Sequence, residues 1–211
     1  MLKNPPDQPT RRLRRGSATA PPGNGGNVIG LAFNLVEQYL LQRHDEAALG
    51  AALRAGGFAH TDPWLDAMSY PEPDFQRWAA AAAAQESIAL DELLRRLGRW
   101  AMPQLVVRYT LLTASSHRPP DLIGDLSALV LPQLRRVLTG YSGADFTLER
   151  AGAGADFSYH GSGALCAAIH GALLGLGDHF GVPLTVRETR CGRGGDGHCR
   201  FHFQAGTAVA A

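Results

Sequence analysis

Apolar residues recur every three to four positions along most of the chain from Asn27 to about residue 140, which is the spacing of amphipathic helices. The segment IGLAFNLVEQYLLQR predicts the first helix. DEAALGAALRAGG predicts the second, with Asp45 as a suitable N-cap and Gly56-Gly57 as its end. Asp74 is expected to open a third helix in DFQRWAAAAAAQES, because alanine is the strongest helix former.

Prolines punctuate the rest of this helical half. HTDPWLDAMSYPEP predicts a short helix or a loop, and SSHRPPD predicts a loop. LDELLRRLGRWAMPQLVVRY is typical of a long helix, in which Pro103 predicts a kink or a break. DLIGDLSALVLPQLRRVL predicts one more helix, with Pro132 inside it or at a break.

The pattern changes at about Gly140. ADFTLERA and DFSYHG alternate apolar and polar residues and predict two strands joined by a turn at GAGAD. SGALCAAIHGALLGLGDHFG predicts a helix of small residues with Ser162 as its N-cap. PLTVRETR and HCRFHFQA predict two more strands around the loop GRGGDG. The order, helices followed by β-β-α-β-β, indicates an α+β fold with a four-stranded antiparallel sheet, and the helical half need not be a separate domain.

Length and charge divide the chain into a body and a tail. We expect a single domain over 27–204, since 211 residues suffice for one sizeable core, and a short tail over 205–211. Residues 1–26, rich in Pro, Gly and Arg, predict a disordered basic tail with a net charge of +4. The whole chain carries +1, so the body lies near −3, which argues against a nucleic-acid partner. RRLRR could contact an acidic partner or a membrane surface, or simply be solvated.

Several classes of protein are disfavoured by what the sequence lacks. No apolar run approaches the roughly 18 residues of a membrane span, and no apolar segment follows the basic N-terminus as in a secretory signal. We therefore expect a cytoplasmic protein with reduced thiols. The sequence has no phosphate-binding loop, nucleophile elbow or dinucleotide fingerprint, so we expect no enzyme.

Three segments together resemble the heme–nitric oxide/oxygen binding (H-NOX) family. NVIGLAFNLVEQYL is similar to that family's first helix, and DELLRRLGRWAMPQLVVRY is similar to a later one. ERAGAGADFSYHGSGALCAAIHGALLGLGDHFG is similar to its strand-turn-strand-helix, with Gly171 and Gly175 in a G-x-x-x-G rhythm. The resemblance runs from about Asn27 to Phe203 and implies an H-NOX-like sensor domain.

The resemblance also implies b-type heme, although the positions that would hold it have changed. The family's axial histidine lies before a proline, where this chain has Leu131, which offers iron no lone pair. The family's Tyr-x-Ser-x-Arg heme anchor is matched by YHGSG: Tyr159 and Ser162 remain, but Gly163 occupies the arginine position. We therefore expect weak or absent heme binding, with His117 as a substitute ligand or an exposed loop residue. His160, nearer the anchor, has the same two interpretations.

The three cysteines are the other candidate site. A hairpin brings Cys191 and Cys199 together across its loop, and Cys166 lies on the helix that must cover the sheet. Cys199 shares a strand face with Phe201 and Phe203, whereas Cys191 alternates onto the opposite face, so the strand must twist for the thiols to meet. If they do not meet, Cys166 and Cys199 are buried apolar residues and Cys191 is a loop thiol.

Some bacterial H-NOX proteins place cysteines at these positions and complete a zinc site with a histidine, and this resemblance implies Zn²⁺ here. The matching position for the histidine is Glu188, whose carboxylate can bind zinc. His170, one helical turn after Cys166, and His198 are further candidates for the fourth ligand. A cluster of thiols that switches by oxidation is the related possibility, and a disulfide within the hairpin is a third.

Two functions remain open. The first is a signalling sensor that regulates a separate partner, such as a histidine kinase or a cyclic-dinucleotide enzyme by family resemblance. It would sense a gas through heme, if heme binds, or zinc and thiol oxidation through the cysteines. The alternative is a heme-free ligand-binding or adaptor module without metal.

Overall fold

The computed structural model describes residues 26–59, 63–109, 117–125, 145–152, 154–161 and 163–205. Nearly all of the predicted tails, and the 126–144 segment that contains Leu131 and Pro132, lie outside these residues. Within the described part, no helix is both long and apolar enough to cross a membrane.

Among the residues that the structure describes, the helical half contains five helices: α1 (Gly30–Arg43), α2 (Glu46–Ala55), α3 (Glu72–Gln85), α4 (Leu90–Arg108) and α5 (Pro119–Asp125). The predicted cap of α2 is confirmed, because the Asp45 carboxylate accepts a hydrogen bond from the Ala48 amide at 2.9 Å and the helix ends at Gly56. The period of apolar residues therefore identifies these helices correctly.

Three predicted boundaries differ from the structure. α3 begins at Glu72 rather than Asp74, since Pro73 lies in its first turn, where a missing amide proton costs nothing. α4 continues through Pro103, so of the two predicted alternatives, a kink or a break, the break is wrong; buried side chains on both sides of the proline, Ala101 and Val106, keep the helix packed. The PPD of the predicted loop already belongs to α5.

A two-stranded antiparallel sheet was not predicted. β1 (Asn27–Ile29) pairs with β2 (Ser69–Pro71), with Val28 opposite Tyr70. The Gly30 amide continues the connection by donating to the Met68 carbonyl at 2.8 Å. Strands of three residues are too short to display a period of two, so the pattern around SYP predicts only a short helix or a loop.

The second half is the predicted β-β-α-β-β unit. β3 (Asp145–Ala151), β4 (Gly154–His160), β5 (Leu184–Arg190) and β6 (Cys199–Ala205) form one antiparallel sheet in the order β3-β4-β6-β5, and α6 (Cys166–Phe180) lies between the two hairpins in sequence. A short 3₁₀ turn, Gly163–Leu165, precedes α6, and Ser162, its predicted N-cap, lies outside the described residues. The predicted four-stranded antiparallel sheet is confirmed.

One face of this sheet is buried. On β4 and β6 the buried residues alternate with exposed or half-buried ones, as the sequence predicts: Ala155, Phe157, Tyr159, Cys199, Phe201 and Phe203. They pack with Leu173 and Leu176 of α6 and with Leu122 and Ile123 of α5. A separate core of aromatic, leucine and alanine side chains holds α1 to α4 together.

α4 and α6 join the two halves at a close crossing. Added Cβ atoms at Gly98 of α4 and Gly171 of α6 would collide with the backbone of the other helix, at Ala168 and Arg95 respectively. At Gly175 the added atom would lie 2.5 Å from the Arg99 carbonyl oxygen. The glycines of the G-x-x-x-G pattern therefore let the two backbones approach more closely than any larger residue would allow.

Candidate thiol and metal site

A β-bulge near the end of β5 decides where Cys191 points. Glu188 pairs with Phe201 of β6, but Arg190 pairs with Arg200, so one extra residue is inserted on β5. The bulge shifts the alternation by one, and Thr189 marks it by donating from its hydroxyl to the Arg200 carbonyl at 3.1 Å. Continued by one residue, this register puts Cys191 opposite Cys199, which agrees with their sulfur atoms lying within 4.8 Å of each other. The conflict of strand parity expected from the sequence is resolved in this way.

The structure brings all three cysteines and Glu188 together. The sulfur atoms of Cys166, Cys191 and Cys199 and a carboxylate oxygen of Glu188 all lie within 4.8 Å of one another. Three elements supply them: α6 gives Cys166, β5 and its end give Glu188 and Cys191, and β6 gives Cys199. Glu188 faces this cluster because its partner across the strands, Phe201, points into the core.

Two of the sulfur atoms are bonded. Cys166 and Cys199 form a disulfide, with Cα atoms 6.4 Å apart, and each residue is only 1% exposed. Cys191 is a free thiol and is half-buried. The Gly192 amide donates to the Cys199 sulfur at 3.4 Å, which holds the start of the loop against the disulfide. The disulfide therefore joins α6 to β6, and not the two ends of the hairpin.

The loop between Cys191 and Cys199 is tied to the helical half. The Arg193 guanidinium donates to both carboxylate oxygens of Asp91, at 2.7 and 2.9 Å, in the first turn of α4. These hydrogen bonds, with a further one to the Cys191 side chain, raise the pKa of Arg193. At the base of the loop, the Asp196 carboxylate accepts from the Cys191 amide at 2.9 Å. Arg193 thus contacts both the thiol site and α4, a connection between residues 102 positions apart that no local pattern indicates.

The candidate histidines lie around the cluster and not within it. His170 packs its ring edge against Phe201, with ring centroids 5.9 Å apart. Burial lowers the pKa of His170, the Arg95 charge lowers it further, and Glu188 opposes both. The His198 ring stacks on His160 at a centroid distance of 4.7 Å. His117 is exposed.

The residues that the family resemblance assigned to heme are only partly described. Tyr159 is buried in the sheet core, whereas Leu131 and Ser162 lie outside the described residues. Gly163 stands at the arginine position of the family's heme-anchor motif. A Cβ atom added there would lie 3.0 Å from Cγ of Arg193, so the Arg193 side chain lies against this position. A cavity of about 230 Å³ lies beside Arg193, lined by residues that include Leu90, Leu94 and Ala164.

A family model described as haem-NO-binding matches residues 29–188 of this chain. The chain belongs to the H-NOX family. The match runs from the end of β1 into β5 and so includes the helical half, β3, β4 and α6, which confirms the family resemblance found in the sequence. No curated protein sequence matches the chain.

Solved H-NOX structures share its fold. An H-NOX protein from S. oneidensis in the Fe(II)NO ligation state is 16% identical, with a TM-score of 0.75 over 85% of this chain and 100% of that one. The unliganded Fe(II) protein from K. algicida is 12% identical, with a TM-score of 0.72 over 87% of this chain and 100% of its own. A T. tengcongensis H-NOX mutant, 16% identical, gives a TM-score of 0.69 over the same shares.

The described residues do not fit the family's anchor for heme. The guanidinium nearest the arginine position, that of Arg193, is already bound by Asp91 through two hydrogen bonds. The thiol cluster, in contrast, is assembled from residues that the structure describes in full.

Proposed function

We propose that this protein is an H-NOX signalling sensor whose input is the oxidation state of its three cysteines. In the reduced form Cys166, Cys191, Cys199 and Glu188 hold one Zn²⁺, and in the oxidised form Cys166 and Cys199 are joined. The observation that carries this proposal is the approach of four ligand atoms from three elements to within 4.8 Å of one another. A tetrahedral zinc with bonds of about 2.3 Å separates its sulfur ligands by about 3.8 Å, so small movements suffice.

Oxidation and metal binding compete for the same sulfur atoms. An oxidant such as hydrogen peroxide takes two electrons from the Cys166 and Cys199 thiolates, forms the S–S bond and is itself reduced to water. Zinc binds only the thiolate form, so the disulfide removes two of its four ligands and releases the ion. Heme takes no part in this cycle.

The surroundings of the cluster explain how a partner would detect the change. Cys166 lies at the first residue of α6, which crosses α4 closely, and the adjacent loop reaches Asp91 of α4 through Arg193. A change between the zinc-bound and the disulfide form of the cluster therefore acts on both halves of the fold. The recipient would be a separate signalling protein, such as a histidine kinase or a cyclic-dinucleotide enzyme.

The test is metal analysis of reduced protein purified without chelator. We expect about one zinc per chain, loss of zinc on addition of hydrogen peroxide, and loss of zinc in Cys191→Ser. Glu188→Gln should weaken zinc binding, because its amide is a far poorer ligand than a carboxylate. Glu149→Gln is the matched control, since Glu149 is exposed on the other face of the same sheet and pairs with Arg200.

Two outcomes would contradict the proposal. Reduced protein that binds no zinc, and whose three thiols react independently with a thiol reagent, would leave an adaptor module as the better description. If zinc binding is lost in His170→Ala but kept in Glu188→Gln, the fourth ligand is His170 and not Glu188. Hemin titration gives an independent check, because a sharp Soret band at one heme per chain would restore heme as the input.

A further inference from the structure

Burial separates the three cysteines into two classes. Cys166 and Cys199, which form the disulfide, are each 1% exposed, so an external thiol has almost no access to either sulfur. Cys191 is half-buried, lies at the loop, and has its sulfur within 4.8 Å of both bonded sulfur atoms. Within the described residues, Cys191 is thus the free thiol that can contact both solvent and the disulfide.

We propose that Cys191 is the entry point for thiol–disulfide exchange at this site, with small external thiols of the glutathione class as its reaction partners. The inference rests on the proposed function in one respect only, that oxidation of these cysteines is the signal. The exchange itself needs neither zinc nor a partner protein.

The first step is internal. The Cys191 thiolate attacks the Cys199 sulfur, the Cys191–Cys199 bond forms, the Cys166–Cys199 bond breaks, and Cys166 leaves as a thiolate. No oxidant or reductant is consumed. Cys199 is the sulfur attacked because the bulge places Cys191 opposite it on the neighbouring strand, where the Gly192 amide already holds the loop to the Cys199 sulfur at 3.4 Å.

The leaving group is also favoured by its position. Cys166 is the first residue of α6, directly after the 3₁₀ turn Gly163–Leu165, and the positive end of a helix dipole favours a thiolate in the first turn. The exchange therefore converts a disulfide that joins the helix to the sheet into one confined to the hairpin. The product leaves α6 without a covalent link to β6.

The second step connects the site to solvent. An external thiolate attacks the Cys191 sulfur of the new disulfide, a mixed disulfide forms at Cys191, and Cys199 leaves as a thiolate. A second external thiol then attacks the mixed disulfide, which releases Cys191 as a thiolate and the external pair as its own disulfide. Two electrons pass from the two external thiols to the protein disulfide, so the three sulfur atoms end reduced.

The experiment uses the oxidised full-length protein and reduced glutathione as the probe. Reduction is quenched at intervals with an alkylating reagent, and the linked cysteine pairs are identified by peptide mass mapping. In the wild type we expect the Cys191–Cys199 pair and a glutathione adduct at Cys191 before full reduction. In Cys191→Ser we expect the Cys166–Cys199 disulfide to be reduced at least about tenfold more slowly, because the relay thiol is absent.

Cys166→Ser is a second test variant, and it lacks the buried Cys166–Cys199 disulfide. It can form only the Cys191–Cys199 disulfide, which we expect glutathione to reduce at least as fast as the wild-type protein. Equal reduction rates in the wild type and Cys191→Ser, with no Cys191–Cys199 pair trapped, would overturn the inference.

Failure of this inference is distinguishable from failure of the proposed function. A protein that binds zinc when reduced and releases it on oxidation, yet never yields the Cys191–Cys199 pair, keeps the proposed function and loses the relay. A protein that exchanges through Cys191 but binds no zinc keeps the relay and loses the proposed metal site.

Discussion

The two halves of the molecule have cores of different chemistry. In the helical half the Phe33 ring lies 4.1 Å from Trp64, 5.3 Å from Tyr70 and 5.3 Å from Phe75 between ring centroids, and helix packing supplies the remaining contacts. In the sheet half, Phe157, Phe201 and Phe203 are buried together with two cysteines.

This difference separates a core that cannot change its covalent bonds from one that can. Aromatic and aliphatic side chains stabilise the helical half under oxidising and reducing conditions alike. The buried sulfur atoms make the stability of the sheet half depend on redox state, because a disulfide constrains the unfolded chain by an amount of the order of 2–4 kcal/mol. This division suits a sensor, because the helical half keeps its structure while the sheet half responds to oxidation.

The largest expected effect comes from a substitution in the core of the helical half, which contains no cysteine. Phe75→Ala should lower the free energy of unfolding by about 4 kcal/mol, because a ring that is only 1% exposed leaves a cavity. Urea unfolding followed by tryptophan fluorescence measures this half directly, since Trp64, Trp78 and Trp100 all lie within it. The loss should be equal with and without reductant.

Leu41→Ala is the matched control for this prediction. Leu41 is 41% exposed on α1 of the same half, so its truncation should change the free energy of unfolding by no more than about 0.5 kcal/mol. A Phe75→Ala loss that depends on the oxidation state would show that the two cores are not independent.

A smaller effect is expected where the halves meet. Gly171→Ala should lower the free energy of unfolding by about 2 kcal/mol, because the added methyl group collides with the α4 backbone at Arg95. Tryptophan fluorescence and cysteine accessibility should report the loss together, since α4 belongs to the helical half and α6 to the sheet half.

Gly124→Ala tests whether the collision is the cause. Gly124 is also helical, but a Cβ atom there would meet nothing within 4 Å, so this substitution should be neutral or stabilise by up to about 1 kcal/mol. Equal losses in the two variants would show that the close crossing of α4 and α6 does not limit stability.

The sequence predicts the helices, the strands and their order, because each element is long enough to display its own period. It also places the three cysteines near one another through one hairpin and one covering helix, but leaves open whether the thiols meet. The helical and strand periods cannot locate β1 and β2, whose three residues each show no alternation. They also cannot reveal that a bulge after Glu188 turns Cys191 toward Cys199, since the bulge belongs to the pairing of two strands.

The contacts between distant elements were the least predictable part of the site. The sequence leaves Glu188, His170 and His198 open as a fourth ligand, and the register of β5 on β6 turns Glu188 toward the sulfur atoms. The loop GRGGDG was interpreted as a connection, yet its Arg193 reaches Asp91 on α4. No spacing along the chain encodes such a pair.

The smallest expected effect concerns this ion pair. The hydrogen bonds from Arg193 hold the pKa of Asp91 below its usual range, although burial opposes them. A carboxylate with a lowered pKa in the folded state adds stability at pH values above its unfolded pKa of about 3.9, and this contribution is lost as the pH falls through the folded value. Both side chains are substantially exposed, so the contribution is less than about 1 kcal/mol.

Asp91→Asn should therefore lower the free energy of unfolding slightly at pH 7, and the difference should shrink as the pH falls below the unfolded pKa of about 3.9 and through the lower folded value. Unfolding curves of the two proteins over this pH range measure the difference in the free energy of unfolding. Arg193→Gln should show the same pH dependence as Asp91→Asn. A difference between wild type and Asp91→Asn that stays constant over the whole pH range would exclude the ion pair as its source.

The bulge in β5 also makes the thiol site sensitive to the length of the chain and not only to the identity of its residues. Inserting one residue between Arg190 and Cys191 would keep every cysteine, but regular pairing continued from Arg190 and Arg200 would then turn Cys191 to the opposite face of the sheet. Substitutions along this strand leave that register intact, so they cannot uncover its role. Among relatives, the spacing between the residue at Glu188 and the following cysteine is therefore a better indicator of this site than the number of cysteines.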